Sequence, residues 1–140
     1  MKYQFYLLFF FQSIIFAQVK NSYSLVEKQM RLISVEQSKS TKEIANYIKL
    51  SFKGEELQIK AAYFHVISTI SYDVNYNFST ELFSSDEDFV SKTIETKKGV
   101  CIHYAKYFKS IVDQLGFQCQ IITGYTKLNN QIGNLSHAWC

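Results

Sequence analysis

The sequence is 140 residues long, 47% apolar and 16% aromatic, which suffices for the core of one domain and is too apolar for a disordered chain. Fifteen Lys and Arg against twelve Asp and Glu leave a net charge of +3, and only Arg31 among the fifteen carries the planar fork that suits phosphate. Nucleic acid is excluded as an expected partner on both counts.

Residues 1–17 stand apart from the rest of the chain. Lys2 precedes the apolar runs Tyr6-Leu7-Leu8-Phe9-Phe10-Phe11 and Ile14-Ile15-Phe16, and the small residue Ala17 closes the segment, with no acid in it. This is the pattern of a secretory signal peptide cleaved near Ala17, with the mature domain over 18–140 in a secreted or periplasmic location. The run is broken by Gln12 and Ser13 and falls short of the roughly 20 residues that a spanning helix needs, so no stable membrane insertion is expected after cleavage. Export implies an oxidising compartment, in which the three cysteines must be weighed as disulfide partners.

From 18 to 39 the signals are weak, and Val26, Met30, Leu32 and Ile33 fit a helix or a short strand. Ser40-Thr41-Lys42-Glu43 has the spacing of a capping box, with the serine hydroxyl and the glutamate carboxylate each satisfying a free N–H. It opens a helix carrying Ile44, Ile48, Leu50 and Phe52, which ends near Gly54. Glu55-Glu56 start a second, largely buried helix with Leu57, Ala61, Phe64 and Ile67, running to about Ile70. Ser71-Tyr72-Asp73 follows, and 73–83 reads as a polar, aromatic loop. Ser85-Asp86-Glu87-Asp88 begins a third helix, whose last turn holds Lys97 and Lys98.

The most informative stretch runs from Lys97 to Trp139. Gly99-Val100-Cys101 leads into apolar residues at helical spacing, Ile102, Ala105, Phe108, Val112 and Leu115, up to Gly116. Cys101 therefore opens a helix, where unpaired N–H groups and the positive end of the macrodipole favour a thiolate. Phe117 to Tyr125 reads as a strand, an Asn- and Gly-rich loop follows, and Ser136-His137-Ala138-Trp139 begins another strand. Strand, loop and strand bring His137 back toward the helix start, and a thiol with an imidazole in reach is the minimal nucleophile and base pair. Trp139 shares the His137 face under the period of two and is expected to pack beside the ring.

Gly99-Val100-Cys101-x-x-Tyr104-Ala105, then Leu115-Gly116-Phe117, Gly124-Tyr125 and His137-Ala138-Trp139, resembles the transglutaminase-like core, a papain-like cysteine fold, over residues 59–140 or so. The helix ending in Ile70-Ser71-Tyr72-Asp73 resembles that family's lead-in, without the Trp that many relatives carry there. The element order is that of an α+β domain, a helical part over about 40–98, then the cysteine helix and an antiparallel sheet over 99–140, in keeping with the resemblance. The resemblance implies Cys101 as nucleophile, His137 as its partner, and an acidic residue on the strand after that, which places the third position beyond Cys140.

The remaining candidates have plainer readings. Two steps along a helix rotate His103 by about 200° from Cys101, toward solvent, and His65 beside Phe64 is a packing residue. Cys101-x-His103 and His137-x-x-Cys140 look like zinc ligand pairs, but helix rotation separates the first and strand alternation the second, so no metal and no cofactor is expected. A hairpin centred near Asn130 would set Cys140 opposite about 119, which permits a disulfide with Cys119 without requiring one. Asp73 is the one visible acid that could stand in for the missing third residue, although nothing in the sequence places it near His137. The expected function is acyl transfer or amide hydrolysis through a Cys101 thioester on a peptide or protein substrate. The alternative is an inactive domain of the same fold that binds a peptide or a wall polymer.

Overall fold

The computed structural model describes residues 23–77, 83–128 and 131–140. The signal peptide expected over 1–17 and part of the polar loop lie outside the described residues. Residues 23–30 are helical (α1), and a 3-10 turn at Glu36–Ser38 leads to α2 (Thr41–Ser51) and α3 (Glu55–Thr69). A two-residue strand β1 (Ser71–Tyr72), helix α4 (Asp86–Thr96), a second short strand β2 (Lys98–Gly99), helix α5 (Cys101–Leu115) and the hairpin β3 (Ile122–Leu128) and β4 (Gln131–Trp139) complete the chain. This is the expected α+β order, helices first and an antiparallel pair last.

Helices α2 and α4 begin where the sequence offers an acceptor. Ser40 Oγ accepts the Glu43 N–H at 3.2 Å, and Ser85 Oγ accepts the Asp88 N–H at 3.1 Å. The capping box at Ser40 is modified: the Glu43 carboxylate takes the serine hydroxyl at 3.1 Å instead of a backbone N–H. Helix α4 stops earlier than its basic residues suggest. Lys97 adopts a left-handed conformation with φ 53°, and Lys98 joins β2, where parallel pairing to β1 sets Ser71 beside Lys98 and Tyr72 beside Gly99. Gly54, expected to close α2, instead precedes α3 with φ 87°, a conformation open to glycine.

The core forms around α5, which packs on α2, α3, α4 and β4. Tyr107, Ile111, Val112 and Leu115 meet Val26 and Met30 of α1, Ile44 and Ile48 of α2, and Ala61, Ala62 and Val66 of α3. The buried stripe of α5 is thus rotated from the expected one: Tyr107 and Ile111 are fully buried, while Ile102 and Phe108 are only half-buried. Tyr107 is tolerated inside because its hydroxyl meets His65 Nε2 at 2.9 Å. Helix α3 is also less buried than its composition suggests, since Tyr63 and Ile67 are exposed.

The segment 117–121 does not form the expected strand. After the left-handed Gly116 the Phe117 N–H returns to the Val112 carbonyl at 3.2 Å, and Phe117 and Cys119 pack against the core, so pairing begins only at Ile122. In the other direction β4 starts at Gln131, well before Ser136, because the hairpin extends through residues the sequence suggests as loop.

Candidate active site

Helix α5 places Cys101 at its first turn. Val100 before it is extended; its N–H donates to His103 Nδ1 at 3.2 Å, and its carbonyl accepts the His103 N–H at 2.8 Å. The Cys101 and Ile102 N–H groups have no intrahelical acceptor at this end. The Cys101 side chain is half-buried.

His103 corrects a sequence expectation. It does turn away from Cys101, but it is 4% exposed and not solvated. Its ring lies between Phe89, at 4.4 Å between centroids, and Tyr76, edge-on at 4.8 Å. Gly99 is required by this packing, because a Cβ there would lie 2.4 Å from His103 Cβ. The ring is thus a buried brace for the helix start.

β4 places the second residue. Its pairing sets His137 opposite Gly124 and Trp139 opposite Ile122. Alternation puts His137 and Trp139 on one face, and their rings lie 5.8 Å apart, as expected. Gly124 leaves room for the indole, since a Cβ there would meet Trp139 Cη2 at 3.2 Å.

Cys101 and His137 line the same cleft, of about 410 Å³, between α3, β1, α5 and the end of β4. Its walls are Tyr63, Val66 and Ile67 of α3, Tyr72 of β1, Tyr104, Ala105 and Phe108 of α5, and Trp139 of β4. The Tyr104 hydroxyl donates to the Ile70 carbonyl at 2.8 Å, and its ring stacks on Tyr72 at 6.4 Å, which joins α5 to β1. Desolvation, followed by the neighbouring Tyr72, raises the Tyr104 hydroxyl above its ordinary range and keeps it a donor. Cys140 also lines the cleft, against the expectation that it diverges from His137. It lies past the last strand residue, so strand alternation does not govern it.

The aromatic walls escaped the sequence reading, although part of the signal was there. Cys101, Tyr104, Ala105 and Phe108 recur at three, four and seven residues, one face of a helix, as do Tyr63, Val66 and Ile67. Tyr72 depends on the β1–β2 pairing, for which two residues give no periodic signal. Asp73 lines a different cavity, with His103, Tyr76 and Thr93, and its carboxylate accepts the Asn75 N–H at 3.0 Å, so it is no partner for His137.

A somewhat larger cavity, about 480 Å³, opens on another face of α3 beside Met30, Arg31, His65 and Lys97. It holds no cysteine, and its histidine is occupied by Tyr107, so it is not the centre of this chemistry. Burial lowers the His65 pKa from 6.5 to about 4 and holds the Tyr107 hydroxyl far above the usual tyrosine range. His65 is therefore a neutral structural residue, as expected. Among the described residues no three His, Cys, Asp or Glu side chains gather as a metal site, and no helix is long and apolar enough to cross a membrane.

The model of the transglutaminase-like superfamily matches residues 37–140. The chain belongs to the transglutaminase-like superfamily. The match takes in α2 through β4, and so both walls of the cleft in this transglutaminase-like domain. No curated protein and no solved structure matches the chain.

Proposed function

We propose that this transglutaminase-like domain is an exported cysteine enzyme that transfers or hydrolyses acyl groups of a peptide or protein substrate through a thioester on Cys101. One observation carries the reading: the thiol at the start of α5 and the imidazole of β4 line one cleft. In this mechanism the Cys101 thiolate attacks an amide carbonyl, and the N–H groups opening α5 receive the developing oxyanion. His137 protonates the departing amine, and water or a second amine then resolves the thioester, giving hydrolysis or crosslinking respectively. The residues 1–17 support export.

The test is acylation with p-nitrophenyl acetate followed by mass mapping. An acetyl group on Cys101, lost on incubation and absent in C101A, is the expected result. Equal labelling of Cys101, Cys119 and Cys140, unchanged in H137A, would sink the proposal.

The second reading, a non-catalytic cleft for peptides, draws support from the aromatic walls Tyr63, Tyr72, Tyr104, Phe108 and Trp139. It is separated from the first by acyl turnover, with C101A as the control. Peptide binding survives that substitution under either reading, whereas turnover by the wild-type chain occurs only under the first.

A further inference from the structure

Two of the three cysteines have no role in the thioester chemistry, and the fold brings them together. Cys119 precedes β3 and is half-buried against the core, while Cys140 follows β4. The pairing of Ile122 with Trp139 carries the chain before β3 alongside Cys140. Both are free thiols, and Cys119 lies near enough to Cys140 to act on its thiol. The Cys140 Sγ also donates to the Ala105 carbonyl of α5 at 3.4 Å. The register sets Cys140 opposite Ile121, two residues from Cys119, so the two thiols are neighbours at the open end of the hairpin, as a disulfide requires.

We propose that Cys119 and Cys140 form a redox pair that closes to an intrachain disulfide when the protein meets a small-molecule disulfide donor. One protein thiolate attacks the donor's S–S bond, expelling one donor thiolate and leaving a mixed disulfide. The second protein thiol loses its proton, attacks the protein sulfur of that mixed disulfide and expels the other donor thiolate. Two protein S–H bonds are thereby exchanged for one S–S bond, and the donor takes up the two electrons and leaves as two thiols.

Burial, then the neighbouring Cys119, pushes the Cys140 thiol up to about 12. It therefore stays protonated at neutral pH and closes slowly until a donor engages the pair. Closure has a consequence for the cleft. Cys140 lines it and stands one residue from Trp139, so the bridge ties the end of β4 to the segment that leaves α5 and leaves Cys101 as the sole free thiol.

The proposal does not depend on turnover, and its test reads chemistry alone. The full chain is incubated with oxidised glutathione, denatured in N-ethylmaleimide without reductant, and mapped by mass. The expected result is a loss of two hydrogens, one maleimide adduct, on Cys101, and a peptide linking positions 119 and 140. The same incubation in guanidinium should scatter the pairing, and C101S should leave the 119–140 link unchanged. Three maleimide adducts on the folded protein, glutathione retained on Cys119 and Cys140, or a bridge that includes Cys101 would each overturn it.

Discussion

Beside the cleft that Cys101 and His137 line, two glycines leave room for neighbouring side chains, Gly99 for His103 and Gly124 for Trp139. Under the proposed chemistry Cys101 and His137 act at different levels. C101A should abolish acyl turnover, and H137A should slow it by about 10²–10⁴-fold while the fold is kept, as followed by p-nitrophenol release and by circular dichroism. His65 gives a residue-scale prediction about stability. Its folded pKa lies at about 4 against 6.5 for the free side chain, so between those values the unfolded chain binds the extra proton. Stability from this residue is therefore complete above about pH 6.5 and falls by up to about 3 kcal/mol as pH drops toward 4. Chemical denaturation across that window should show a shallower slope with pH for H65Q than for the wild type. Equal slopes would mean that His65 is not held neutral by burial.

At the scale of elements, the start of α5 is the decisive joint. β1 and β2 pair over two residues only, yet they deliver Tyr72 to the cleft and Gly99 to the helix that opens two residues later. G99A would drive a Cβ into His103, and we expect a loss of about 1–3 kcal/mol in urea unfolding. The cost should shrink in the G99A/H103G double variant measured against H103G alone, since the clash is with the His103 Cβ and ring, which glycine removes. Helix caps offer a quieter check: S40A and S85A each remove an acceptor from a helix start and should cost about 1 kcal/mol. These caps were legible in the sequence because a Ser followed three residues later by an acid is a local signal. The early stop of α4 at Thr96 was not, because Lys97 leaves the helix to let Lys98 reach a strand far away in sequence.

For the molecule as a whole, α5 is both the centre of the core and the bearer of Cys101. One of its faces meets α1, α2 and α3 through Tyr107, Ile111 and Val112, while another lines the cleft through Tyr104 and Phe108. I111A should therefore cost about 2–5 kcal/mol, since Ile111 is fully buried. Y107F, which strips His65 of its hydrogen-bond partner in the interior, should cost about 1–3 kcal/mol. Both losses are read by denaturant unfolding, and neither substitution touches the cleft walls.

The amino-acid sequence by itself determined the α+β order, the helix opened by Cys101, the strand bearing His137 and the likeness to the transglutaminase-like superfamily. Those features rest on local periodicity, caps and motif spacing, which a chain carries wherever it folds. Only the tertiary structure decided that His103 is buried, that the strand begins at Ile122 and not Phe117, and that five aromatic rings wall the cleft. It also brought Cys140 into the neighbourhood of Cys119. Each of these outcomes depends on which distant elements cover a residue. Burial and pairing between remote segments follow from packing, and no local pattern encodes which surface a neighbour will occupy.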